Sequence, residues 1–89
     1  MNKKDCKIGM YVGVIQNVNP LARSRTRVKR IGKILGVYDN YVSLLLFDSN
    51  LSDLSDLDTL EYITIKRQMY RESFRFYEIF KIKKEIKIE

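Results

Sequence analysis

Histidine and tryptophan are absent from this 89-residue sequence, and cysteine and proline each occur once. The lack of histidine removes the commonest metal ligand and the commonest general base together. With Cys6 alone, no disulfide forms within the chain and a cysteine-based zinc site is excluded. Long apolar runs are missing too. The longest, Val42–Phe47, is broken by Ser43 and is far too short to span a bilayer. Met1–Lys7 is polar and the apolar part after it is short and strand-like, so no secretory signal is read there. The expectation is a cytoplasmic protein of one small domain, with no cofactor, no metal and no membrane partner, its first six residues flexible.

What is present is charge, unevenly placed. Seventeen Lys and Arg against eleven Asp and Glu give a net charge of +6. From Lys7 to Val37 there is no acid, whereas Ile34–Ile65 carries six acids and no base; after Lys66 the chain is basic again. Segregation of this kind points to a charged binding surface, or to two segments that neutralise each other.

The apolar pattern is that of strands. Ile31–Phe47 reads as a β-hairpin turning at Asp39-Asn40, since both residue types tolerate the positive φ of a primed two-residue turn. With that turn, Tyr38 faces Tyr41, Val37 faces Val42, Leu35 faces Leu44, Ile34 faces Leu45 and Gly32 faces Phe47. Both faces of this hairpin are apolar, so both need cover. The candidates are the Leu51–Leu60 excursion, the C-terminal strand, or a second subunit or partner, with the excursion preferred.

Around the hairpin, Ile8, Met10, Val12 and Val14 alternate as a first strand, with Gly9 and Gly13 marking bends or close backbone approach. Asn17-Val-Asn-Pro20 ends it. The stretch Arg-Ser-Arg-Thr-Arg-Val-Lys-Arg within Leu21–Arg30 follows as a long basic loop. Asp48–Thr59, in which Leu51, Leu54 and Leu57 sit three apart, reads as an acidic loop with one helical turn. Glu61–Tyr70 is a further strand with Ile63, Ile65 and Met69 inward, broken by a tight turn near Glu72–Phe76. Phe80, Ile82, Ile86 and Ile88 form a last strand in which Lys84 is the one charge on the apolar side.

This order, carried by Ile8-Gly-Met-Tyr-Val12, Gly32-Lys-Ile-Leu-Gly-Val37, the hairpin, and Tyr70-Arg-Glu-Ser-Phe74 before a final strand, resembles the SH3-like small barrel, in the company of KOW and Tudor-type modules. The fold class expected is therefore all-β: a small SH3-like barrel of about five antiparallel strands, with a long basic loop after the first strand and an acidic excursion before the fourth. The resemblance implies binding to nucleic acid or to protein, and only rarely catalysis. The Lys-, Ile-, Asn- and Tyr-rich composition is also similar to that of small proteins of AT-rich Gram-positive bacteria and their phages.

The chemistry agrees. Asp48, Asn50, Ser52 and Asp56 occupy positions 1, 3, 5 and 9 of a calcium-loop spacing, but Asp53 and Thr59 stand where Gly and Glu are required. Ser73 has no histidine to activate it, and a lone thiol without a base is inert, although Lys3, Lys4 and Lys7 near Cys6 would favour its thiolate. The strong signal is basic. Arg23, Arg25, Arg27, Lys29, Arg30 and Lys33 suit a phosphate backbone, with Tyr11, Tyr38 and Tyr41 as stacking surfaces and Arg71 and Arg75 assisting. The expectation is a non-enzymatic barrel that binds DNA or RNA. The alternative is a protein-interaction module or inhibitor, gripping an acidic protein surface with the same arginines or the hairpin tip. A homodimer through the apolar hairpin is a further possible assembly.

Overall fold

The computed structural model describes residues 1–17, 27–51 and 59–89, with 16, 17 and 27–29 as backbone alone. Six strands form one sheet: β1 Tyr11–Asn17, β2 Arg27–Val37, β3 Val42–Ser49, β4 Tyr62–Phe74, β5 Ile79–Lys81 and β6 Glu85–Ile88. Their order across the sheet is β5-β1-β2-β3-β4-β6. Every pairing is antiparallel except that of β4 with β6, which is parallel. The only helical elements of more than one residue among the described residues are 3₁₀ turns at Lys3–Asp5 and Phe76–Glu78.

β5 and β6 lie at opposite edges, yet only Ile82, Lys83 and Lys84 separate them in the chain. Four Cα steps reach at most about 14 Å, whereas five strand spacings of a flat sheet cover about 24 Å. The sheet must therefore curl, and the result is a small all-β half-barrel. The single last strand expected over Phe80–Ile88 is split in two. Lys84, the charge that spoiled its alternation, stands at the end of the link that crosses from one edge to the other. Nor does β4 break near Glu72: it runs on to Phe74, and the turn is the 3₁₀ segment after it.

The hairpin forms where expected, with Val37 opposite Val42 and the Tyr38 N–H donating to the Tyr41 carbonyl at 2.9 Å. Its turn is not primed, because Asp39 and Asn40 both keep negative φ. Three residues further the register changes: Ile34 pairs with Leu44, Lys33 with Leu45, Gly32 with Leu46 and Ile31 with Phe47, leaving Leu35 as a bulge. The straight register expected from the sequence would turn Lys33 into the same row as Leu46, which is fully buried. An extra residue at Leu35 sends Lys33 outward and brings Ile34 and Gly32 in, so the cost of burying an ammonium group selects the bulge.

Two cores result, one on each side of the sheet. Inside the curl lie Val12, Val14, Ile34, Val42, Leu44, Leu46, Phe74, Ile79 and Cys6. Residues Met1–Asp5, expected to fray, close one end: the Met1 nitrogen donates to the carbonyls of Phe76 (2.9 Å) and Ile79 (3.1 Å). On the outer side Ile31, Leu51, Ile63 and Ile65 cluster with Tyr11, Phe47, Ile82 and Ile86. Around Ile31 and Phe47 the second apolar face of the hairpin is covered by the chain itself, through Leu51 at the start of the excursion, the first half of β4, and the C-terminal segment, while Tyr38 and Tyr41 at the tip stay exposed. β4 serves both cores because alternation sets Ile63 and Ile65 on the opposite face from Phe74, while the two register shifts against β3 flank Met69 and turn it, against the sequence expectation, to the inner cluster.

The first strand is shorter than expected. Gly9, at φ +91°, turns the chain, so Ile8 stands out in solvent at 73% exposure instead of joining Val12 and Val14. Gly13 answers to close approach: a Cβ there would meet the Phe80 ring at 2.2 Å.

Candidate nucleic-acid interface

Cross-strand partners share a face, so the register sorts the basic and aromatic residues into two groups. On the outer face one row runs Tyr11, Lys33, Leu45, Arg71 across β1, β2, β3 and β4. Lys33 Nζ lies 5.9 Å from the centre of the Tyr11 ring. The next row toward the hairpin tip is Gly36, Ser43, Ser73. Beyond it the rings of Tyr38 and Tyr41 stack at 4.7 Å between centroids, with 17° between their planes. Extended by one position past the Val42–Phe74 pair, the same register sets Arg75 level with Tyr41. A cleft between hairpin tip and chain is lined by Asn40, Tyr41, Ser73, Arg75 and Glu78.

Tyr38 and Tyr41 keep 47% and 41% of their surface exposed. Arg71 and Arg75 are exposed and have no ion pair with a described carboxylate. Two acids stand at the tip. Glu78 accepts the backbone N–H of Arg75 at 2.8 Å, and Asp39 accepts Lys3 Nζ at 2.7 Å. The bond from Lys3, joined by its charge, holds the Asp39 carboxyl below the usual carboxylate range.

Arg30 belongs to the other side. Its register partner is Val14, and its Nη1 lies 3.2 Å from Asp48 Oδ1 and 3.0 Å from Met69 Sδ. Asp48 also accepts Arg67 Nε at 2.7 Å. The Arg67 hydrogen bond is the largest influence on Asp48 and lowers its pKa; partial burial opposes it, and the charges of both guanidinium groups add to the lowering. Arg30 thus ties the start of β2 to β3 and β4. Asp48 and Asn50, which opened the calcium-like spacing, are engaged otherwise, for Asn50 Oδ1 accepts the Thr64 N–H at 3.1 Å.

Asp48→Asn is expected to lower stability by about 1 kcal/mol at neutral pH, the pair being partly solvent-screened. Because the folded-state pKa is depressed, this contribution is complete above the ordinary carboxylate value and disappears as pH falls through the lower one. Denaturant midpoints of the two proteins should therefore differ at pH 7 and converge in strong acid.

Of the residues expected to bind, Lys33, Tyr38, Tyr41, Arg71 and Arg75 come together on one face. Arg27 and Lys29 lie in β2, paired through their backbone with Asn17 and Ile15, and are not part of a loop. Arg23 and Arg25, like Asp53, Asp56, Leu54 and Leu57 of the acidic excursion, fall outside the described residues. Tyr77, 84% exposed, was not singled out by the sequence reading. It lines a second cleft that shares Asn40 and Arg75 with the first. The signal was there in Phe74-Arg-Phe-Tyr77, an arginine set among aromatics. Cys6 is buried, its thiol donates to the Asn2 carbonyl at 3.4 Å, and burial raises its pKa despite the lysines nearby in sequence.

Comparison with known proteins supplies no relative: no family model, no curated protein and no solved structure matches the chain.

Proposed function

We propose that this half-barrel binds nucleic acid through its outer face, Lys33, Arg71 and Arg75 neutralising phosphates beside the stacked pair Tyr38 and Tyr41. The observation that carries the reading is the coincidence of cations, Arg71 and Arg75 exposed and Lys33 half-buried, with exposed aromatic rings on one side of the sheet. Five of the six tyrosines are among the exposed large side chains, while the buried set is aliphatic apart from Phe74 and Cys6. Rings kept out of a core with room for little else suit contact with bases. The sequence adds Arg23, Arg25, Arg27 and Lys29 to the positive charge that such a reading requires. Such contacts bind by counter-ion release, with little sequence preference and a steep dependence on salt. KOW and Tudor-type barrels, which the sequence resembles, lend the same direction by analogy.

Protein freshly purified at low salt is expected to carry nucleic acid, read as a raised 260/280 nm absorbance ratio, and to shift an oligonucleotide at low but not at high salt. Clean protein and no shift at low salt would end this reading. It would favour an acidic protein surface as the partner.

A further inference from the structure

Building on that reading, we propose that the nucleic acid is bound as a single strand, an unpaired base lying on the Tyr38–Tyr41 pair with Arg75 holding the adjoining phosphate. The two rings already stack on one another at 4.7 Å and 17°, so each has spent one face on its neighbour. The surface that remains, 47% and 41% of the two side chains, sits at the end of a hairpin. A base within a duplex has both faces covered and offers only its edges to a protein. To continue the stack of tyrosines, a base must first leave its own.

The pair is also held ready. The Tyr38 hydroxyl lies 2.8 Å from the point a Cβ at Gly36 would occupy, so the ring rests over backbone that no other residue would leave open. A stack formed before the ligand arrives needs less ordering when it binds. Around it the polar groups differ in kind. Asn40 and Ser73 line the cleft beside Tyr41 and suit the hydrogen-bonding edge of a base, while the Arg75 guanidinium suits a phosphate. Lys33 and Arg71 stand four β3 residues from Tyr41, about 13 Å along the strand, where the backbone of a short single strand would next need charge. Tyr77, beyond Arg75, offers a ring on the other side of the same arginine.

The test compares one mixed-sequence oligonucleotide, single-stranded and as its duplex, by fluorescence anisotropy at low salt. The proteins are wild type, Tyr38→Ala/Tyr41→Ala, Tyr41→Leu, Tyr41→Phe and Arg75→Ala. Wild type is expected to bind the single strand at least tenfold more tightly than the duplex. The double alanine variant should lose about 10- to 100-fold for the single strand and little for the duplex. Tyr41→Phe should stay within about threefold of wild type, and Tyr41→Leu should not, because a ring face is needed and mere apolar bulk is not. Arg75→Ala should weaken single-strand binding and flatten its salt dependence. Equal binding of both forms, or no loss in the tyrosine variants, would overturn the single-strand inference and leave nucleic-acid binding in place. No binding of either form would remove the underlying reading as well. Polyglutamate binding that is weakened by the same variants would point to a protein partner and overturn both. All substituted residues are exposed, and circular dichroism identical to wild type is the folding control.

Discussion

Ile34→Ala is expected to destabilise the fold by about 3–4 kcal/mol, while Leu35→Ala, one residue along the same strand, is expected to lower stability by only about 1 kcal/mol. Ile34 is fully buried inside the curl, and its loss leaves a cavity among Leu44, Val12 and Val14. A chain of 89 residues has a total stability of roughly 4–13 kcal/mol. Ile34→Ala therefore removes a large share of it. The contrast between neighbours measures the bulge directly. In an unbulged hairpin Leu35 would face inward with Leu44, and Ile34 would lie on the outer side with Leu45. Chemical denaturation of the two variants decides the matter: equal losses, or a greater loss for Leu35→Ala, would contradict the register described here.

Reversing Lys33, Arg71 and Arg75 together to glutamate is expected to abolish nucleic-acid retention, lowering affinity by more than about 100-fold at low salt and the salt slope by about 3. Each of these residues would contribute about one released counter-ion, and a glutamate in its place adds repulsion. The fold should survive, since none of the three is buried or ion-paired with a described carboxylate. Arg30→Glu makes the informative contrast. It would set a second carboxylate beside Asp48 in a partly buried place, where Arg30 keeps 18% of its side-chain exposure. Its effect should appear in stability before it appears in binding. If the triple variant binds as wild type does, the outer face is not the nucleic-acid surface.

In the sequence the basic residues from Arg23 to Lys33 form one run, but the run has two destinations. Within β2, Arg30 and Lys33 differ by three positions, so strand alternation sends them to opposite faces. One finds Asp48, eighteen residues away in sequence, and the other finds the Tyr11 ring. Counting charges along the chain could not separate them, because the count has no period and the face does. In the sequence Arg71 and Arg75 are only basic residues of the last third, and the pairing of β4 with β3 is what carries them beside Lys33 and Tyr41.

By itself the sequence determined the strands, the site of the hairpin turn, the need for cover on both of its faces, and the supply of exposed cations and tyrosines. These follow from alternation, turn chemistry and composition, all of which are local. Only the tertiary structure decided the bulge at Leu35, the splitting of the last strand between two edges, the parallel pairing of β6 with β4, and which two arginines, Arg30 and Arg67, are spent on Asp48. The physical reason is that a slip of one residue exchanges the two faces of a strand, and in a hairpin with both faces apolar the pattern along the chain does not say which face belongs inside. The choice between slips rests on burying Lys33 or Ile34 against groups elsewhere in the chain, and that energy exists only once the sheet has closed.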